Sequence, residues 1–455
     1  MKAERFVVIG GDAAGMSAAS LVKRRRPEIE VEAYEMGGYT SYGACGMPYY
    51  IGGEVPELDD LVVVRPEDFR NKRGIEVFMR HRVERIYPDR KLIEVRDLEG
   101  GTTREATYDR LLIATGARPI VPRGFDLDME GVFALRGLDD ADGIKRYIHD
   151  HGAKTALIVG TGYIGVEMAE ALSMAGLEVT TVGRPPRVLP TFEEEIGQAV
   201  TEELTRHGVR VLIGAEAVGV ERPSDGRLSL TLASGEALSA DLIVVGAGVL
   251  PRSELAAEAG LALGFKKAIQ VDRGQRTSDE SIWAAGDCAE AYHRLLGRNT
   301  YVPLALHANR QGRIAGTNIL GGKAEFPGIL STAVCKIFDL AAARTGLGLV
   351  EAEAEGLDVV KVVVTGNSRA HYYPGGGPVK TVLIVEKRGR KLWGAQMVGR
   401  DGVAHRINTW AAVLASGMSL EEIHGLDLAY APPFSPVWDP VLVASEIAMK
   451  QVKEK

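Results

Sequence analysis

Short apolar runs that end in glycine punctuate this chain and set its organisation. Arg5-Phe6-Val7-Val8-Ile9 is almost wholly apolar, the pattern of a parallel strand buried on both faces. It enters Gly10-Gly11-Asp12-Ala13-Ala14-Gly15, after which residues 16–26 read as a helix and 29–35 as a second strand ending in the acid Glu35. That is a βαβ unit. The same succession starts again at Ala156-Leu157-Ile158-Val159 and passes Gly160-Thr161-Gly162-Tyr163-Ile164-Gly165. It continues as a helix to Met174 and returns as a strand over 178–182. Two dinucleotide-type folds in one chain predict two dinucleotides.

Further strands over 108–114, 241–245 and 281–285 stop at Thr115-Gly116, at Gly246-Ala247-Gly248 and at Gly286-Asp287. Strand-then-glycine edges are where α/β sheets place ligands. The simplest wiring makes the first fold discontinuous, 1–117 with 251–326, and inserts the second over 118–250. From about Pro327 the pattern changes to strands over 359–365 and 381–386, then helices over 401–416 and 440–450. We read 327–455 as a third, α+β domain, in a chain that is α/β overall.

Composition acts mainly by exclusion. A formal charge of −7 gives a nucleic-acid partner no electrostatic support. No apolar run is long enough to span a membrane, and the N-terminal run passes into glycine without the layout of a signal peptide. Three widely spaced cysteines form no disulfide framework, which fits a reducing, cytoplasmic setting. No short solenoid repeat or low-complexity tract is present.

The glycines of a dinucleotide turn let a pyrophosphate approach a helix N-terminus, and an acid after the second strand takes the ribose hydroxyls. Gly10, Ala14 and Gly15 line the first turn, with Asp12 where the middle glycine is usual, and Glu35 is the acid. The second turn offers Gly160, Gly162, Ile164 and Gly165 but no acid: Gly183 and Arg184 stand in its place, with Arg187 nearby. Arg184 can pair with a 2′-phosphate, which tilts the donor towards NADPH and leaves NADH open. Asp287, after a strand and a glycine, suits a ribitol hydroxyl.

Cys45 lies in Ser41-Tyr42-Gly43-Ala44-Cys45-Gly46-Met47-Pro48-Tyr49-Tyr50, and Pro48 marks the first turn of a helix. A cysteine at a helix N-terminus is more often thiolate, and a thiolate can exchange electrons with a flavin. Cys288 and Cys335 read as small buried hydrophobes. No second cysteine follows on the Cys45 loop, and Tyr50 occupies the expected place of one. The oxidised form is then a sulfenic acid or a mixed disulfide with a small thiol, and that fork decides the substrate.

At this point the chain resembles the pyridine nucleotide-disulfide oxidoreductase family over essentially its whole length. The resemblance rests on Gly10 to Gly15 with Glu35, on Leu112-Ile113-Ala114-Thr115-Gly116, on Gly160 to Gly165 with Glu167, and on Gly286-Asp287. It implies FAD in the first domain, with Val83, Thr115, Gly116 and Pro303 among its contacts, and NAD(P)H in the second. It implies that Tyr163 gates the nicotinamide, that Glu167 stands close by, and that Gly246 edges the nucleotide. It further implies a homodimer in which the partner subunit completes each active site.

The single Cys45 is similar to the branch holding NADH peroxidase, NADH oxidase and coenzyme A-disulfide reductase. The first two carry a histidine where this chain has Ala13. The coenzyme A-disulfide reductases use two tyrosines, matched by Tyr372 in His371-Tyr372-Tyr373-Pro374-Gly375 and by Tyr430 in Leu428-Ala429-Tyr430-Ala431-Pro432-Pro433. Ala44 departs from the asparagine these reductases often carry before the cysteine. Arg24 in Lys23-Arg24-Arg25-Arg26, Ser41 and Lys72 are the candidate contacts to coenzyme A. The basic run equally suits helix-dipole complementarity and solvation.

The expected activity is reduction of coenzyme A disulfide by NAD(P)H through a Cys45–coenzyme A mixed disulfide. The rivals are an NADH oxidase or peroxidase cycling a Cys45 sulfenic acid, and a polysulfide or persulfide reductase in which the same thiolate attacks sulfane sulfur. Some of the latter add a rhodanese-like domain, and none is read here. A non-catalytic flavoprotein reporting redox state is the outlying alternative.

Overall fold

Phe6 to Ile9 are all buried, as an apolar run without polar alternation requires. In the computed structural model, which describes residues 4–224 and 226–452, Arg5–Ile9 pairs in parallel with Glu30–Tyr34 on one side and Arg110–Ile113 on the other. Ile282–Ala284 and Glu76–Phe78 complete a five-stranded parallel sheet in the order Ile282–Ala284, Arg110–Ile113, Arg5–Ile9, Glu30–Tyr34, Glu76–Phe78. The sheet lies in a compact unit of residues 4–120, 135–146 and 249–329. The antiparallel strands His81–Tyr87, Leu92–Asp97 and Thr103–Thr107 form a small second sheet there.

The Ala13–Arg25 helix begins three residues before the expected start, because Ala13, Ala14 and Gly15 cost nothing in a first turn and Met16 N already donates to Asp12 O at 2.9 Å. It packs against the Ala305–Ile319 helix through small residues: a Cβ at Gly312 would lie 2.2 Å from Ala14 O.

The second unit holds 121–134, 147–248 and the described residues from 330 on. Its parallel sheet runs Arg210–Ile213, Glu178–Gly183, Thr155–Val159, Leu242–Val245, Val132–Ala134. Strand for strand this repeats the order of the first sheet, with one permutation. The outermost strand comes last in the chain in the first fold and first in the second. Each fold also carries a three-stranded antiparallel insert just before the strand that pairs with that outermost one; here it is Ala217–Glu221, Leu228–Leu232 and Ala237–Ala240.

The rest of this unit is a five-stranded antiparallel sheet, Ala333–Ile337, Leu340–Gly346, Leu392–Gly399, Pro378–Glu386, Val359–Asn367. The Val403–Ser416 and Pro440–Gln451 helices pack on it with Trp410, Val413 and Val441 buried. No helix of the described residues is long and apolar enough to cross a membrane.

Candidate functional site

The first nucleotide turn has no room for a side chain at its opening glycine. Gly10 has φ +111°, and a Cβ on it would sit 2.1 Å from Ala114 O, at the end of the neighbouring strand. The Glu35 carboxylate accepts from Gly11 N and from Gly37 N, both at 2.7 Å, which holds it against the turn, the placement that an acid taking ribose hydroxyls requires. Gly286 has φ +82°, and its Cβ would meet Ala14 Cβ at 3.1 Å, so the Gly286-Asp287 edge closes on the same helix start. The Asp287 carboxylate accepts no hydrogen bond among the described residues, and burial pushes it up from its usual range. An acceptor left open beside a glycine cradle is what a ligand rich in hydroxyls needs. Thr115 donates to Arg252 O at 2.6 Å and stiffens the edge beside Gly116. These residues fit a flavin dinucleotide. Val83 packs its side chain into the core with Ile9 and Tyr34 beside a β-bulge, so only its main chain is left to a ligand. Pro303 is half-buried just ahead of the Ala305–Ile319 helix.

Arg136 was not legible in the sequence. Its Nε donates to Ala117 O at 2.6 Å, and its guanidinium is the cation facing both Asp12 and Asp287. It belongs to no motif, and only the folded chain brings it here.

Cys45 sits in a 3-10 turn, Ala44–Gly46, and is exposed, whereas Cys288 and Cys335 are buried. Gly46 caps the Met47–Ile51 helix, so the cysteine lies one residue outside the expected helix start. Tyr50 is buried, and its hydroxyl donates to Asp142 at 3.2 Å under the Lys145 ammonium. The place of a resolving thiol is thereby filled by a clamped ring. Ser41 adopts φ 49°, with its N bonded to Gly11 O at 3.0 Å.

Arg24 is exposed at the end of its helix and in no ion pair among the described residues, while Lys72 is paired with Asp68 at 2.7 Å. Arg73, the last residue of the Pro66–Arg73 helix, donates to Ser20 at 2.9 Å, which sets its charge against the helix that carries Lys23, Arg24 and Arg25.

In the second unit Gly160 has φ +131°, with a Cβ 2.2 Å from Gly246 O, and a Cβ on Gly165 would lie 2.0 Å from Gly160 O. Gly162 caps the Tyr163–Met174 helix with open space around it. Gly183 stands in the acid's place because a Cβ there would strike the Thr161 methyl at 2.4 Å. Arg184 is exposed, 3.9 Å from the Glu216 carboxylate. Ile164 and Tyr163 are half-buried; the Tyr163 ring packs edge-on against Phe192, and burial raises its hydroxyl.

Burial pushes the Glu167 carboxyl up to about 7, with Glu170 adding to it. Glu170 itself is ion-paired with Lys336. The folded value lies above the ordinary 4.5, so this group's contribution to stability is full below pH 4.5 and is lost as pH rises through about 7. Glu167→Gln should therefore raise the melting temperature above pH 8 and leave it unchanged near pH 4.5. The difference is on the order of 3 kcal/mol. Equal shifts at both pH values would contradict this ionisation.

The Tyr372 and Tyr430 hydroxyls lie 3.4 Å apart, and their bond raises the Tyr430 hydroxyl from its ordinary value. Both rings are well exposed. Arg406, buried and outside every motif, joins the loops that carry them. It donates to Ser368 O at 3.0 Å, to Phe434 O at 3.2 Å and to Asp439 at 2.8 Å.

The sequence pattern of the pyridine nucleotide-disulphide oxidoreductases matches residues 4–312, and that of their dimerisation domain matches 332–440. An NAD(P)H sulfur oxidoreductase (CoA-dependent) of Pyrococcus furiosus is 38% identical over 98% of this chain and 99% of its own length. A coenzyme A disulfide reductase of Staphylococcus haemolyticus is 31% identical over 95% of this chain and 96% of its own. The solved NAD-dependent persulfide reductase of A. fulgidus superposes with a TM-score of 0.94 at 39% identity, covering 98% of this chain and 83% of that one.

Proposed function

The chain belongs to the pyridine nucleotide-disulphide oxidoreductase family, and on that premise we propose that Cys45 passes two electrons to coenzyme A persulfide or polysulfide sulfur. The protein is an NAD(P)H-dependent flavin oxidoreductase acting on coenzyme A-linked sulfur, with a C-terminal dimerisation domain. FAD supplies the two-electron relay between NAD(P)H and a sulfur–sulfur bond. We assign FAD to Gly10, the Asp12 and Ala14 main chain, Gly15, Glu35, Val83, Thr115, Gly116, Asp287 and Pro303, and NAD(P)H to the second turn.

The Cys45 thiolate attacks the inner sulfur of a coenzyme A persulfide. Hydrosulfide leaves, and a Cys45–S–S–coenzyme A mixed disulfide forms. Two electrons and one proton then release coenzyme A thiol and restore the thiolate. The sum is NAD(P)H, a proton and persulfide giving NAD(P)⁺, coenzyme A thiol and hydrogen sulfide. Tyr372 and Tyr430 of the partner subunit donate to the leaving sulfur, and the patch of Arg24 and Arg73 takes the phosphates of coenzyme A. Coenzyme A disulfide is the second reading. It passes through the same mixed disulfide, with coenzyme A thiolate leaving in place of hydrosulfide. Both readings are supported most by one observation: among the described residues Cys45 is the exposed cysteine, while Cys288 and Cys335, the thiols that could resolve a disulfide, are buried.

The test follows NADPH oxidation with coenzyme A persulfide, coenzyme A disulfide and oxygen as separate acceptors. Sulfide released in step with NADPH loss, faster than thiol from the disulfide, is the expected result. Oxygen consumption matching the best sulfur acceptor would overturn it. Arg184→Ala should raise KM for NADPH about tenfold and leave NADH unchanged, since one charge-assisted phosphate contact is worth roughly 1.5 kcal/mol. Equal loss with both donors would remove the 2′-phosphate contact.

A further inference from the structure

Asp12 stands where the second nucleotide turn carries Gly162, and both residues are the N-cap of the helix that follows. An aspartate at an N-cap ordinarily turns its carboxylate onto the helix's own N–H groups. Asp12 makes no such capping bond, and of the helix's own N–H groups only that of Ala13 helps to hold its carboxylate, less than Tyr42 does. Its Oδ1 accepts instead from Tyr42 N at 3.2 Å, far along the chain.

Two further bonds stitch the same segments together. The Thr40 hydroxyl donates to Gly11 O, and Ser41 N donates to the same oxygen at 3.0 Å. Between them and Tyr42, Ser41 holds φ 49°, a conformation that L side chains rarely adopt without outside contacts. The cysteine turn is built directly on Tyr42: Ala44 N donates to Tyr42 O at 3.2 Å, and Gly46 N to Gly43 O at 2.8 Å.

A carboxylate is costly in this place. It is largely withdrawn from water, with Arg136 the cation and Glu35 the other anion facing it. A glycine would serve the nucleotide without that cost, as Gly162 does in the other fold. What the aspartate adds is the bond to Tyr42. We propose that Asp12 is a positioning residue for Cys45: its carboxylate fixes the turn that starts at Tyr42, and through it the place of the thiol. The proposal rests on Cys45 being the redox thiol.

The test compares Asp12→Gly and Asp12→Asn in the FAD-loaded protein. It uses hydrogen exchange over residues 40–46 and steady-state turnover with coenzyme A persulfide and disulfide. Asp12→Gly restores the common turn residue, so FAD content should be unchanged. Exchange at the Tyr42 amide should quicken about tenfold, the value of one good hydrogen bond. With whichever acceptor is turned over, kcat should fall several-fold at constant KM for NAD(P)H. Asp12→Asn keeps an acceptor oxygen and should recover most of both. Unchanged exchange, unchanged kcat, loss of FAD, or an Asn variant as impaired as the Gly variant would each overturn the proposal. The two readings fail separately. Exchange at Tyr42 reports the tether whatever the acceptor, whereas retained turnover in Cys45→Ser removes the thiol from the chemistry.

Discussion

Cys45→Ser should keep its FAD and lose turnover of coenzyme A-linked sulfur by about a thousandfold or more, the scale seen when a covalent nucleophile is removed. The size of the effect follows from the cysteine inventory. Cys288 and Cys335 are buried, and burial raises both thiols well above their ordinary range. Neither offers a thiolate to replace the missing one. FAD should be retained, because the residues proposed to hold it, the glycine turn, Glu35 and Asp287, do not include the thiol. Reduction of an outer-sphere acceptor such as ferricyanide by NAD(P)H should therefore stay within about twofold of the parent protein, since that path needs no covalent intermediate. A serine variant that still turns over persulfide or disulfide would end the covalent reading. One that loses FAD would show the loop to be part of the cofactor cradle.

Gly10→Ala should abolish FAD loading, with flavin content falling about tenfold or more. Its φ of +111° is closed to L side chains, and the added carbon would sit 2.1 Å from Ala114 O. That oxygen belongs to main chain next to the Arg110–Ile113 strand, which pairs with Arg5–Ile9 residue by residue. The turn can open only by breaking the sheet. Gly162→Ala is the contrast: the same carbon there meets nothing within 4 Å. That variant should fold and keep FAD, and lose only affinity for the nicotinamide nucleotide, whose pyrophosphate would meet the new methyl. Flavin absorbance of the purified variants decides the first prediction, and KM for NAD(P)H the second. Full FAD in Gly10→Ala would contradict the steric account.

Local signals made most of this fold legible. Apolar runs closed by glycine give strands because a parallel strand is buried on both faces, and both nucleotide sheets assemble from such runs. The candidate residues within motifs, Gly10 to Gly15, Glu35, Cys45 and Gly160 to Gly165, carry their chemistry in their spacing. Legibility ended where a contact spans distant segments. Arg136 reaches Asp12 and Asp287 from outside any motif. Arg406 ties the two tyrosine loops from a helix whose pattern shows only an amphipathic face. The missing acid of the second turn read as a nucleotide preference, and the fold supplies a second reason: Thr161 fills the space a side chain at Gly183 would need. The first helix began early because alanine and glycine leave its start unmarked in the pattern, and the cysteine fell just outside its helix because Gly46 takes the cap.

The account turns on a covalent intermediate, and that intermediate is open to direct weighing. Protein mixed with coenzyme A persulfide or disulfide, quenched in acid and digested, should yield a Cys45 peptide heavier by coenzyme A in disulfide linkage. Addition of NADPH before the quench should remove it. A bare sulfenic acid at Cys45, or coenzyme A carried by Cys288 or Cys335 in its place, would contradict the account.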